Sequence, residues 1–350
     1  MGIIMIVSIY TNKDIVLRRV SINIWQISSN ESLIDYGFEV HMKENSTHSL
    51  RHFIFDVPFQ VLEYWDITQE CYENPEIGKI IFSREFKTSE PENFGQFIKI
   101  EMKADGISSE VVFPLKIKTT KIQDSDGISI TRITVDLGIP LEPGKTRAFR
   151  IRVLAKNVPK RISQLWKFHR RYIFDIRVYE RRMAPHKVPE SMEGISEPLI
   201  QKLYIFIMPL SKLQEKDLKL GKMSYIRQLE TDLWNLYLNT TNHKVEDGRK
   251  VFRAHFVNVS AKQRVRAYCE FEDPYSVVIT KILLTFFMLY LAPIFPIYIL
   301  LFKLNLMQAI RALIGTTIIA IVAEMISKAF GKDSGIFHSF LKTLKDVMLI

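Results

Sequence analysis

Cysteine is almost missing from this chain. Cys71 and Cys269 are the only two in 350 residues, so a disulfide framework and a four-cysteine zinc site are both excluded, and one bridge is the most that can form. Glycine is sparse as well: 14 residues, against a charged fraction of 25%, exclude collagen-like, low-complexity and disordered classes. Motifs for common chemistry are lacking too. The eight histidines include no HExxH pair, and there is neither a GxSxG elbow nor a glycine-rich dinucleotide fingerprint. Gly144-Lys145-Thr146 ends like a phosphate-binding loop, but Gly138 stands one residue too far upstream, and a strand alternation follows where a helix N-terminus belongs. Pro143-Gly144 instead fits positions i+1 and i+2 of a type II turn. His48 and His52 are four apart, yet Phe53, Phe55 and Val57 beside them alternate as in a strand, which makes them surface histidines rather than metal ligands. There is no internal repeat, no cofactor is implied, and no reaction can be read from these residues.

What the chain does have is a long apolar run toward its C-terminal end. Ile282–Phe302 holds 21 residues without a charge, about the ~20 needed to cross a hydrocarbon core. Pro293 and Pro296 lie inside it, which a transmembrane helix tolerates. After Lys303-Leu304-Asn305 a second apolar stretch runs from Leu306 to Ile326, with Arg311 and Glu324 near its ends, within snorkelling reach of an interface. A buried core helix is the alternative reading of each stretch. Together they predict a transmembrane hairpin over 278–327. Lys262, Arg264, Arg266 and Lys281 precede it, Lys328, Lys332, Lys342 and Lys345 follow it, and only Lys303 and Arg311 mark the connecting end. That asymmetry predicts an integral membrane protein with both termini cytoplasmic. Met1–Val7 is apolar without a basic n-region and reads as a first strand, not a signal peptide. Glycosylation sequons at Asn30, Asn45, Asn239 and Asn258 favour the opposite, exported orientation. In the tail, Ile336, Phe337, Phe340, Leu341, Leu344, Val347 and Met348 recur at helical spacing and predict an amphipathic helix over 333–350.

Between the termini the apolar period is mostly two. Phe149, Ile151, Val153 and Ala155 alternate with Arg150, Arg152, Leu154 and Lys156. Tyr172, Phe174, Ile176 and Val178 form a second series, and Val265, Ala267, Cys269 and Phe271 a third. With further runs at 21–26, 36–42, 97–102, 111–118 and 128–135, the pattern predicts a mainly β fold of antiparallel β-sandwich modules with some helix. Leu213–Leu238 reads as helical, from Ile226, Leu229, Leu233 and Leu236. The Glu-, Ser-, Gly- and Pro-bearing residues 188–198 read as a linker between a sandwich domain, 1–187, and a smaller α+β module, 199–273.

A strand, the turn Leu141-Glu142-Pro143-Gly144, a second strand, then Ile162-Ser163-Gln164 and a third strand resemble part of the sandwich region of the ribophorin I family of oligosaccharyltransferase subunits. The resemblance spans about 50 residues of strand-and-turn pattern common to many sandwiches. It implies a lumenal or extracellular sandwich domain in a membrane complex.

Charge gives the strongest functional signal. From Lys145 to Lys187 there are 14 basic residues against Asp175 and Glu180, so this segment carries +12 of a chain whose total is +10. Arg150, Arg152, Lys160, Arg161, Lys167, Arg170, Arg171, Arg181 and Arg182, with Trp166 among them, are the candidate anion-binding residues. Two readings stand: a surface for an anionic partner, or a polar sheet face whose acidic partners come from elsewhere in the fold. Acidic lipid headgroups are the first candidate partner, nucleic acid or a nucleotide the second. The expected function is a membrane-anchored binding or scaffold protein with a cytoplasm-facing β-rich domain. The alternative is a ligand-sensing effector whose hairpins form a homo-oligomer, or join a membrane-protein partner, and permeabilise the bilayer. The full chain is expected to stay in a carbonate-washed membrane pellet; recovery in the wash would contradict the hairpin.

Overall fold

The period-two alternation becomes strands. The protein is described here from a computed structural model, which covers residues 5–273 except 13, 75, 79–85, 105, 124–128, 165–168, 180–194, 221–224, 229–230, 239–243, 245–246 and 261–264. The transmembrane hairpin expected over 278–327, the tail helix 333–350, most of the expected linker and the side chains of Lys160, Trp166, Lys167, Arg181 and Arg182 lie outside the described residues. Among the described residues no helix is long and apolar enough to cross a membrane.

The fold is mainly β, with few short helices. One sheet runs Lys116–Gln123, Ser129–Leu141, Leu50–Val57, Met5–Asn12, His169–Val178, Val265–Glu272, Gln214–Lys219. The larger sheet runs Tyr225–Gln228, Lys250–Val259, Leu199–Met208, Ile15–Gln26, Glu31–Met42, Thr146–Lys156, Ile107–Phe113, Phe97–Ala104, Lys87–Thr88. Hydrogen-bonded neighbours are mostly antiparallel. The exceptions are Met5–Asn12 with His169–Val178, Ile15–Gln26 with Leu199–Met208, and Ile107–Phe113 with Thr146–Lys156, which are parallel. The sheets are therefore mixed, not purely antiparallel, because these pairs join strands distant in sequence through crossover connections rather than hairpins.

Inner faces of the two sheets share one apolar core. Phe149, Ile151, Val153 and Ala155 all point into it, as do Tyr172, Phe174, Ile176 and Val178 and, from the third series, Val265, Ala267, Cys269 and Phe271. Rings meet across the sheets: Phe53 and Phe149 at 5.3 Å, Tyr36 and Phe55 at 5.1 Å, Phe252 and Phe271 at 4.9 Å. Both cysteines are buried and free, and burial pushes the Cys71 thiol up to about 12.

Three local expectations resolve. At the Pro143-Gly144 turn, Lys145 N donates to Glu142 O at 3.2 Å and Gly144 has φ 76°, the positive angle a type II turn needs at that position. The helical reading of Leu213–Leu238 holds only for Thr231–Leu238, since Gln214–Lys219 and Tyr225–Gln228 are strands. Residues 1–187 and 199–273 interleave: Leu199–Met208 pairs with Ile15–Gln26, Val265–Glu272 pairs with His169–Val178, and Met1–Ser276 forms one compact unit.

The outer face of the larger sheet carries a second core, where Trp25, Leu33, Ile67, Cys71 and Tyr72 meet Trp234, Tyr237 and Leu238 of the Thr231–Leu238 helix. This layer corrects the expectation for Arg150 and Arg152. They leave the strand opposite its apolar series, but the side they enter is roofed, and they are 2% and 0% exposed. Arg152 Nε donates to Asp35 Oδ1 at 2.6 Å, and its Nη1 donates to Tyr237 O at 3.2 Å. Tyr237 in turn donates to Asp35 Oδ2 at 2.6 Å. Arg150 Nε donates to the Tyr237 hydroxyl at 2.8 Å and its Nη1 to Ser21 Oγ at 3.1 Å. The approach requires Gly37, where a Cβ would lie 2.6 Å from Arg150 Nη1 and 2.5 Å from Ser21 Oγ.

Burial works against the Arg152 charge, but Asp35 and Tyr237 more than offset it and hold the guanidinium charged at any accessible pH. Asp35→Ala is expected to lower unfolding free energy by about 3–5 kcal/mol, because it strands a buried charge. Tyr237→Phe should cost about 1–3 kcal/mol. Thermal and urea unfolding of the full chain check both; wild-type stability in the Asp35 variant would contradict the arrangement.

Candidate anionic-ligand face

The basic segment 145–187 divides into parts with different fates. Arg147 joins Arg150 and Arg152 inside: it is 1% exposed, donates to Ile139 O at 2.6 Å and pairs with Glu110 at 3.0 Å. A second group lies on the outer face of the smaller sheet and meets acids from neighbouring strands. Arg171 reaches Glu270 at 3.3 Å, and Glu270 also lies 4.0 Å from Lys216. Asp175 accepts from Arg177 and Arg266 together, at 2.9 Å and 2.8 Å. Arg161 and Arg170 are exposed on adjacent strands, with Arg161 in register with Tyr172 and Arg170 with Ser163. For Arg171 the acid comes from Val265–Glu272, about a hundred residues away in sequence, whereas Arg177 pairs with Asp175 of its own strand.

A further group of cations lies elsewhere, on the larger sheet beyond the helix that roofs Arg150 and Arg152. Three strands place their outward residues side by side there. Arg19 is in register with Lys202, and Lys202 with Val257; Ser21 is in register with Tyr204, and Tyr204 with His255; Asn23 is in register with Phe206, and Phe206 with Arg253. Tyr225, on the edge strand, is in register with Arg253.

The rings and guanidiniums stack. Tyr204 and His255 lie face to face, with centroids 4.4 Å apart and planes inclined by 5°. The guanidinium carbons of Arg19 and Arg253 each sit 4.9 Å from the Tyr204 centroid, and Arg253 is also 4.7 Å from the Tyr225 ring. Both guanidiniums are therefore no further apart than twice that 4.9 Å. Cation–π contact supports both guanidiniums on the ring.

Among the described residues, neither Lys202 nor Arg253 makes an ion pair, and neither Arg253 Nε nor His255 Nε2 has a hydrogen-bond partner although both atoms are buried. His255 is held below its ordinary pKa first by burial and then by Arg253, Lys202 and Arg19. Glu39, in register with Arg19 one strand further in, is the carboxylate nearest in the ladder; it is 6% exposed and accepts from Ser109 at 3.0 Å. Tyr225 and Val257, 37% and 51% exposed, border the stack.

A reading by sequence runs missed this face. Its cations are single residues on three strands, and only their period-two placement, Lys202-Tyr204-Phe206 beside Arg253-His255-Val257, signals a shared side. Among the described residues no cluster of His, Cys, Asp and Glu is arranged to hold a metal.

The matched face of the smaller sheet has its own acid dependence. Burial favours the neutral form of Asp175, but Arg177 and Arg266 outweigh it and lower the pKa. A carboxylate lowered by folding contributes stability above its unfolded value, about 3.9, and loses that contribution as pH falls through the folded one. Asp175→Asn should therefore flatten the fall of melting temperature below about pH 4; an unchanged acid limb would contradict the double pairing.

No protein-family model matches the sequence, and no curated protein matches it. The segment resembling ribophorin I crosses between the sheets, with Ser129–Leu141 in the smaller and Thr146–Lys156 in the larger. Among solved structures, the M1 zinc metallopeptidase of Deinococcus radiodurans aligns over 73% of this chain and 42% of its own, at 10% identity and a TM-score of 0.28. Baculovirus P35 aligns over 73% of this chain and 97% of its own, at 8% identity and a TM-score of 0.27. The chain spans well under half the length of the metallopeptidase. Likenesses at these scores assign neither a family nor an activity to this protein.

Proposed function

We propose that this protein is a membrane-anchored, cytoplasm-facing β-sandwich that binds an anionic partner through the outer face of its larger sheet. The uncharged run Ile282–Phe302, its hairpin partner and the basic flanks support the anchor and the orientation. The observation that carries the binding role is Lys202 and Arg253 on the two strands that carry Tyr204 and His255, neither of them in an ion pair among the described residues. Such a field attracts anions over roughly a Debye length, ~8 Å at physiological ionic strength. Acidic lipid headgroups are the first partner class, because an anchored domain meets them at high local concentration; nucleic acid is an outcome of the same test.

Full-length protein in detergent, or reconstituted, is to be titrated with acidic vesicles and with single-stranded RNA across salt from about 50 mM to about 200 mM. Binding should weaken steeply with salt. Lys202→Gln with Arg253→Gln should lower affinity more than tenfold, at about 1 kcal/mol for each basic side chain near an anionic surface. Arg161→Gln should change it little. Indifference of the protein to both polyanions at low salt would overturn the proposal.

A further inference from the structure

A β-sheet ends in a strand with one row of backbone donors and acceptors left over, and most such edges in this fold are short or blunted. The larger sheet ends in Tyr225–Gln228 and Lys87–Thr88, four and two residues long. The smaller sheet ends on one side in Gln214–Lys219. There the register with Val265–Glu272 shifts between Glu215 and Asp217. Its lysines are neutralised within the sheet, Lys216 by Glu270 and Glu272 and Lys219 by Asp217.

The other end of that sheet differs. Lys116–Gln123 holds register with Ser129–Leu141 over eight successive residues, without bulge or proline. Among the described residues no strand pairs with its far side. Its start is fixed where Leu115 N donates to Asp66 Oδ2 at 2.6 Å. In an antiparallel pair alternate residues turn both N–H and C=O away from the partner, so about four residues here offer a ladder.

The side chains define which strand fits that ladder. Lys116, Lys118 and Thr120 share one side and are exposed. Ile117 and Thr119, half-buried, share the other, and Ile117 packs against the core. The strand holds no acid, and among the described residues Lys118 makes no ion pair; it is in register with Thr134. Lys116 is in register with Asp136, but that carboxylate accepts from Arg51 at 3.4 Å and from Gly138 N at 3.0 Å. Lysines on an edge keep out a second copy, because self-pairing sets like charges against one another. A strand with carboxylates on alternate residues meets the same lysines as partners.

We infer that Lys116–Gln123 receives an extended acidic segment of a partner protein as an added β-strand, with carboxylates toward Lys116 and Lys118 and apolar side chains toward Ile117. This edge belongs to the smaller sheet, so the inference is independent of the Lys202 and Arg253 face on the larger one.

The test is fluorescence anisotropy of the full-length protein in detergent with a labelled peptide of alternating Glu and Val, together with amide hydrogen exchange. The peptide should bind, and protection should rise over Lys116–Gln123. Methylating the backbone nitrogens of alternate peptide residues removes one row of donors and none of the charge. One methylated frame should bind like the parent and the other about tenfold more weakly, since one row alone faces the edge. Lys116→Gln with Lys118→Glu should lower affinity about tenfold at an unchanged melting temperature. Lys202→Gln with Arg253→Gln should leave it unchanged. Loss of peptide binding in that second variant would make the peptide one more polyanion on the larger sheet and overturn the inference. Equal binding of the two methylated frames, unchanged affinity in the Lys118 variant, or no binding at all would overturn it too. Protection of Lys116–Gln123 that grows with protein concentration without peptide would assign the edge to a second copy instead.

Discussion

Arg152 and Asp35 face each other on adjacent central strands with no solvent on either side chain, and the outer layer of the fold is arranged around that fact. A buried guanidinium needs a counter-charge and acceptors for its other donors. Asp35 gives the first; the carbonyl of Tyr237 gives one of the second, and the Tyr237 hydroxyl closes the remaining Asp35 oxygen. The helix Thr231–Leu238 is thereby bound to the sheet through polar contacts as well as through Trp234 against Trp25, with ring centroids 5.0 Å apart. Neighbouring Arg150 shares the same tyrosine, and Gly37 opens the strand surface beneath it. Arginines that look available in the sequence are committed to the architecture.

That commitment separates buried charge that holds the fold from charge on the outer faces of the sheets. Inside, Arg152 is balanced by a carboxylate, Arg150 donates to the hydroxyls of Tyr237 and Ser21, and Arg249 donates to Pro209 O at 2.8 Å and to Met208 O at 2.8 Å. On the outer face of the smaller sheet, Asp175 pairs with Arg177 and Arg266 and Glu270 pairs with Arg171 and Lys216, so acids offset part of the arginine charge there. Past the covering helix, the larger sheet presents Lys202 and Arg253, neither in an ion pair among the described residues, with Arg253 against the Tyr204 and Tyr225 rings. Ring support fixes position but leaves the net charge intact. Position with charge retained is what the proposed anion-binding role needs, and the placement of Lys202 and Arg253 follows from which residues share a side of adjoining strands.

The apolar half of this design was legible in the sequence. Phe149, Ile151, Val153 and Ala155, and the two other alternating series, read as inward-facing, and all lie in the shared core. The polar half was not, because alternation tells which residues share a side and not whether water covers that side. Arg150 and Arg152 share a side with each other, but the helix that covers them arrives some eighty residues later. The three parallel pairings were equally invisible, since they join strands distant in sequence. Leu213–Leu238 misled because Ile226 belongs to an edge strand, where exposed apolar residues occur at any spacing. The Tyr204 face needed register across three strands, and register is set by turns and packing that a single chain reading does not supply.

The most direct measurement is amide hydrogen exchange of the full-length protein with and without a saturating polyanion. Exchange maps protection along the chain, and so tells the sheet face from the basic segment without any substitution. If ligand charge is received by the cations around Tyr204, protection rises in Leu199–Met208 and Lys250–Val259 and leaves Lys160–Gln164 and His169–Val178 at their ligand-free rates. Protection confined to the 160–187 region, with the two outer strands unaffected, would contradict the assignment and return the site to the run of basic residues in the sequence.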